Sequence, residues 1–189
     1  NRIGKKILVT GNGRCNYTNT TTNVTDYNNA DFVSYGLSVF NPGRTMDYFS
    51  TVGIVPKVEK EGKTYPLSEQ ASSIVDVFLY EMDRLNVEVI TEAMVVSVIR
   101  KNRSFSVYLE DGRTLDADKV IIATGGKAMP KSGSDGSGYT LAEDLGHKIT
   151  KTFPALVKLK LDSPYLNHLA GIKMPTEVEL IYNNQVLQK

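Results

Sequence analysis

The run KVIIATGG, Lys119 to Gly126, carries the strongest fold signal in the chain. Val, Ile, Ile and Ala in succession leave no polar residue for a solvent face. The segment therefore reads as a strand covered on both sides, as in a parallel sheet. It ends in Thr124, Gly125 and Gly126, which puts small residues at the carboxyl edge of that sheet. In open α/β sheets this edge is where ligands bind. A second glycine segment, GSDGSGY, follows closely and feeds a helix expected from about Gly138 to Leu145, with Gly146 at its C′ position. The Gly133–Gly138 segment offers backbone amides at a helix N-terminus, a ready anion site. The bland reading is a tight strand-to-helix connection. Two glycine-rich turns so close together favour a site for a flat or phosphorylated cofactor.

The rest of the chain supplies an α/β frame around that strand. KILVT, Lys6 to Thr10, reads as a short strand entering a glycine loop, and Asn16 to Asn29 reads as a long polar loop. Ala30–Phe40 and Arg44–Val52 read as two short helices parted by the breaker NPG. Ser68 is the expected N-cap of the clearest helix. Ala71, Ile74, Val75, Phe78, Leu79, Met82 and Leu85 recur at steps of three and four and make one buried face. The period then changes. VEVI (Val87–Ile90), Met94–Arg100 and Phe105–Leu109 read as strands, and Asp111-Gly112 is a hairpin turn leading to the return strand RTLDA. From Phe153 the character shifts again, to the alternating segments ALVKLKL and TEVELIY with a turn at Asn183-Asn184. Residues 1–152 are thus expected to form one domain, and 153–189 the start of a second, β-rich one.

Composition narrows the partners. Lys and Arg number 22 against 21 Asp and Glu, a net charge of +1. That balance gives no electrostatic reason to expect nucleic acid or an acidic membrane. No apolar run approaches the ~20 residues of a spanning helix. No apolar region follows the basic start NRIGKK, so it does not read as a signal peptide. A single cysteine, Cys15, favours a reducing, cytoplasmic compartment. His147 and His168 have no Cys or His neighbours, so no zinc pattern is present. The expected partner is a small molecule.

The loop TGNGRCNYTN, Thr10 to Asn19, admits several readings. Gly11 and Gly13 allow close approach and positive φ. Arg14 is a forked cation suited to phosphate. The third glycine of a dinucleotide fingerprint is missing, since Asn16 stands there. The loop is therefore either a ligand cradle or a polar surface turn. Cys15 as a nucleophile or redox thiol would need a base, and no histidine is near. Sequons at Asn16, Asn19, Asn23 and Asn102 match chance in an Asn/Thr-rich stretch. Tyr65 and Pro66 read as ordinary residues leading into the helix, with pocket lining as the alternative.

The blocks NRIGKKILVTGNGRCNYTN, GKTYPLSEQA, DKVIIATGG, GSDGSGY and LGHKITKTFPALVKL, in this order, resemble a bacterial family of FAD-dependent, NAD(P)-utilising oxidoreductases. The family includes bile-acid-reductase-like and aminoacetone-oxidase-like flavoproteins, and the resemblance covers nearly the whole chain. The GRCNxTN block is specific to it; the ATGG block is shared with many flavoproteins. The resemblance implies an incomplete FAD-binding, Rossmann-like domain with a β-hairpin or meander, plus the start of a β-rich substrate domain. It implies that Gly11, Gly13, Arg14, Cys15, Asn16 and Asn19 line the flavin end of FAD. Ala123, Thr124, Gly125 and Gly126 would approach its ADP half or pyrophosphate, and Val95 would meet the adenine. NAD(P)H is the implied co-substrate.

The family's N-terminal glycine turn and ribose-binding acid have no counterpart here. The chain therefore reads as a central fragment, expected to be inactive alone and to bind FAD weakly or not at all. Lys63, Tyr65, Asp135 and Ser137 depart from the family's usual residues, the last two within the second glycine loop. No catalytic acid or base is implied. The rival readings are a non-catalytic flavin- or nucleotide-binding module and an RNA-modifying flavoprotein.

Overall fold

The computed structural model describes residues 3–154, 160, 162–169, 171–172 and 177–188. The chain divides into two compact units, Asn1–Lys151 and Thr152–Lys189. In the first, a two-residue strand β1 (Thr18–Asn19) is followed by helices α1 (Ala30–Val39) and α2 (Pro42–Thr51). Strands β2 (Pro56–Val58) and β3 (Lys63–Pro66) lead to helix α3 (Ala71–Arg84). Then come β4 (Val95–Arg100), β5 (Phe105–Leu109), β6 (Thr114–Ala117) and helix α4 (Ser137–Asp144).

The helix ends follow from local side-chain chemistry. Asn29 and Asn41 each accept a backbone N–H from the first turn of α1 and α2, from Phe32 and Arg44. Asn41 of the NPG breaker is thus a cap, and Pro42 opens α2, where its missing N–H costs nothing. Gln70, not Ser68, stands at the start of α3. The Ser68 hydroxyl instead bonds the Ser73 hydroxyl at 2.8 Å. Gly146 takes φ +92 just beyond α4, as a C′ glycine does.

Two antiparallel sheets are built. One has the order β1-β3-β2, with Thr64 opposite both Thr18 and Val58. The β1 strand falls inside the expected long loop, because Tyr17 and Thr20 both donate to the backbone of the β3 region. The other sheet is the meander β4-β5-β6, turned at Asp111-Gly112 as the sequence indicates. Residues of α4 pack on β4, with Val98, Leu109 and Leu141 buried. The principal core lies under α3. Cys15, Ile54, Ala71 and Ile74 are buried together, and Ile7, Leu8, Tyr17, Phe49, Val77 and Phe78 pack around them.

Three expected strands do not form ladders. KILVT is helical: a 3₁₀ segment begins at Ile7, with Leu8 N–H donating to Gly4 O and Val9 N–H to Lys6 O. Its apolar side chains find α3, so the backbone closes on itself rather than on a neighbouring strand. VEVI and KVIIATGG take no regular secondary structure, and no strand among the described residues pairs with either. Ile121 is 89% exposed. A Val/Ile run signals burial potential; a strand also requires a partner backbone.

In the second unit, β7 (Leu180–Tyr182) and β8 (Gln185–Gln188) form a hairpin. Asn183 and Asn184 turn it with φ +49 and +60, the left-handed pair that a two-residue turn requires. The segment ALVKLKL lies almost wholly outside the described residues.

Candidate functional site

The conspicuous local structure is the turn that carries Gly11 to Cys15. Gly11 and Asn12 are left-handed (φ +54 and +57), Gly13 has φ +85, Arg14 is right-handed at −99, and Cys15 returns to +60. Arg14 N–H donates to Gly11 O at 3.2 Å, and Cys15 N–H to Thr10 O at 3.0 Å. Glycine is required at position 11 on two counts. Its φ is positive, and a Cβ there would stand 2.6 Å from the Asn16 nitrogen and 3.0 Å from the Tyr65 ring.

Side chains then fasten this turn to β3 and its flanks. The Arg14 guanidinium lies 4.0 Å above the Tyr65 ring centre. Its Nη1 donates to Glu59 Oε1 at 2.8 Å and to Glu69 Oε1 at 3.1 Å, while Nη2 reaches Glu59 Oε2 at 3.5 Å. Lys57 Nζ shares Glu69 Oε1 at 2.8 Å. The Glu59 bond, more than any other neighbour, raises the Arg14 pKa. Lys57 first, and then Arg14, hold the Glu69 carboxyl below the usual glutamate value. Asn16 Oδ1 accepts the Thr64 N–H at 3.3 Å. Asn19 Nδ2 donates to Glu61 O at 2.9 Å, and its Oδ1 accepts from Thr21 N–H and hydroxyl, both at 2.8 Å.

Cys15 is buried among Ile54, Ala71 and Ile74, where a thiol behaves as a small hydrophobe. Its side chain therefore belongs to the core, and its backbone is the part that belongs to the turn. The buried Tyr17 hydroxyl has no hydrogen-bond partner among the described residues. Burial, and then Cys15, push its pKa up. Tyr65 is buried at the middle of the sheet, more than a residue leading into α3.

The second group of expected residues sits on α4. A Cβ on Gly138 would collide with the Thr124 side chain, and one on Gly126 would stand 2.7 Å from the Tyr139 hydroxyl. The Thr124–Gly126 backbone therefore runs close against the helix start. Gly125 has φ +75 and faces open space apart from Ser134. One of the backbone amides of the Gly133–Gly138 segment is already engaged, because Asp135 Oδ1 accepts the Ser137 N–H at 2.9 Å. That bond holds the Asp135 carboxyl below its usual range. Val95 opens β4 opposite Leu109, at a break in register between Val95 and Ser97. Beside it Glu92, Ala93, Met94, Glu110 and Asp111 line a cleft of about 390 Å³.

The structure thus sets Gly11, Arg14, Asn16 and Asn19 against β3 and its flanks, with Gly13 in the same turn and Cys15 in the core, and it sets Thr124 and Gly126 beside the start of α4. Glu59 and Glu69 were not legible as partners of Arg14, nor Lys57 as a partner of Glu69. The two glutamates lie 45 and 55 residues along the chain from it, and no local pattern marks such a pairing. Among the described residues no group of three or more His, Cys, Asp or Glu is arranged to hold a metal. Among the described residues no helix is long and apolar enough to cross a membrane.

A domain of helices and small antiparallel sheets with two glycine-rich turns is the class these observations define. Residues 1–177 match the family described as the HI0933-like protein Rossmann domain. The chain belongs to that family, which is FAD-binding. It is 39% identical over 98% of its length to a 3-dehydro-bile acid delta(4,6)-reductase of Clostridium scindens, covering 45% of that protein. It is 32% identical over 93% of its length to a ribosomal RNA dihydrouridine synthase of Escherichia coli, covering 44%. The Haemophilus influenzae protein of that name is 27% identical over 98% of the chain, with 49% covered. The chain therefore spans about half the length of the curated relatives it matches.

The N–H groups of Arg14 and Cys15 are spent inside the turn, and both arms of the Arg14 fork meet carboxylates. Those donors are therefore committed to protein and not to an anion. Gly11 and Gly13 leave the turn free of side-chain bulk at their positions. The exposed Thr124–Gly125 backbone likewise has no bulk to hold a ligand away.

Proposed function

We propose that this chain is part of an FAD-dependent oxidoreductase that transfers a hydride between NAD(P)H or an organic substrate and the flavin. The observation that carries the reading is the 39% identity to a reductase over 98% of the chain. Bound FAD supplies the hydride chemistry; the chain's own residues bind and orient it. Gly11, Gly13, Asn16 and the Cys15 backbone form the floor at the flavin end, with Arg14 and Asn19 bracing that floor from β3. Ala123, Thr124, Gly125 and Gly126 lie along the ADP half or pyrophosphate, and Val95 meets the adenine. The single, buried cysteine supports a cytoplasmic location as part of this proposal.

The relatives' names share a chemistry. A delta(4,6)-reductase of a 3-dehydro steroid acid and a dihydrouridine synthase each saturate a ring carbon–carbon double bond. The substrate class for this protein is then an alkene conjugated to a carbonyl. Hydride adds to one carbon and a proton to the other, and NAD(P)H leaves as NAD(P)⁺. A second reading, ribosomal RNA as the substrate, is favoured by the two dihydrouridine synthases. Against it stands the net charge of +1, since RNA binding draws on an excess of lysine and arginine.

The test uses the intact protein that carries these residues. Its absorbance should show bound flavin, bleached by NADH or NADPH without oxygen and restored by a cyclic enone. Restoration by unmodified ribosomal RNA alone moves the assignment to RNA. Full FAD occupancy without bleaching by either nicotinamide makes the protein a flavin-binding module. Absence of flavin defeats the reading.

A further inference from the structure

We propose that Arg14 is a positioning residue, which with Glu59 and Glu69 locks the Gly11–Cys15 turn onto Tyr65, and not a ligand of a cofactor phosphate. The inference rests on the reading that this turn lies beneath FAD, and it reverses the role that an arginine in a glycine loop suggests.

Four observations carry it. First, Arg14 donates to two carboxylates and lies over an aromatic ring, its Cζ 4.0 Å from the ring centre, so its fork is committed to protein. A guanidinium recognises phosphate through that same fork. Second, Tyr65 is shared: its ring supports Arg14 on one side and would touch a Cβ at Gly11 at 3.0 Å. The clamp therefore bears directly on the glycine that makes the turn. Third, the carboxylates come from both ends of β3. Glu59 donates its N–H to Lys63 O at the start, and Glu69 donates its N–H to Pro66 O at the end. Arg14 thus spans the strand. Fourth, Glu69 takes φ +53, an unfavourable conformation for a non-glycine residue. Its carboxylate bonds to Arg14 and Lys57 offset that cost.

The two roles give opposite signs in one experiment. The intact protein is compared with R14M, R14K and the double variant E59Q/E69Q. FAD affinity is read by flavin fluorescence, and amide exchange is read at Arg14 and Cys15. If Arg14 positions the turn, R14M and E59Q/E69Q act alike. Each should weaken FAD about tenfold and speed exchange of both amides about tenfold, as local opening does. R14K, which keeps the charge but not the fork, should recover only part of the loss. Combining R14M with E59Q/E69Q should add little to either alone.

If Arg14 binds phosphate, R14M weakens FAD whereas E59Q/E69Q tightens it, because two competing negative charges are gone. That result overturns the proposal, as does unchanged amide exchange in both variants. Exchange can be read even if the wild type binds no FAD. The clamp and the flavin reading therefore fail separately.

Discussion

Two glycine-rich turns in this chain look alike in sequence and differ in structure. The turn at Gly11–Cys15 is closed: the Arg14 and Cys15 amides are bonded internally, its arginine is clamped, and its cysteine is in the core. The segment Lys119–Gly126 is open: it has no ladder among the described residues, and Ile121 is 89% exposed. Glycine does different work in each. At Gly11 it permits a crowded, left-handed turn; at Gly125 it leaves a surface bare. A glycine motif therefore names a backbone requirement, and the neighbouring side chains decide whether that serves packing or binding.

Core substitutions should separate the two regions most widely. Ile74 is 2% exposed beneath the closed turn, so I74A should lower unfolding stability by about 2–4 kcal/mol in urea titration. I121A should change it by less than about 0.5 kcal/mol. Equal effects would mean that the open segment is packed after all. Glycine substitutions should give a smaller contrast. G11A adds a clash to a positive φ and should cost about 2–4 kcal/mol. G125A meets nothing nearer than Ser134 Oγ at 3.5 Å and should cost about 1 kcal/mol.

The secondary structure around these turns was legible where local chemistry decides it. Asp111-Gly112 forces a hairpin, Asn183-Asn184 forces another, and the first half of the α3 stripe, Ala71, Ile74 and Val75, finds the core, whereas Leu79 and Leu85 of the same stripe are exposed. Legibility failed where a distant partner decides. Ile7, Leu8 and Val9 have strand propensity, yet Leu8 and Val9 bond backwards to Gly4 and Lys6, and Ile7 and Leu8 pack on the core under α3. Within the candidate site, Gly11 and Gly13 were recognisable because positive φ has a sequence signature. Glu59 and Glu69 were not, because an ion pair across a strand leaves none. The same limit applies at α4, where Asp135 takes the Ser137 N–H, one of the amides that the glycine segment offers.

Acid should sharpen the comparison by the smallest increment. Glu69 and Asp135 both have carboxyls held below their usual values, so each contributes stability at neutral pH that is lost as pH falls through the lowered value. Between pH ~5 and ~3, protection of the Arg14 and Cys15 amides, taken relative to their intrinsic exchange at each pH, should fall in the wild type and stay flat in E69Q, which is already loosened. D135N should leave those two amides unaffected and speed exchange at Ser137 alone. An acid response at Arg14 that survives E69Q would place its origin elsewhere.

The most direct test of the central claim is hydrogen exchange of the intact protein with and without FAD. Protection that appears together at residues 10–19 and 123–126 is the expected result, with the cleft beside Val95 protected as well. Protection confined to other parts of the protein, with both glycine segments unchanged, would contradict the account.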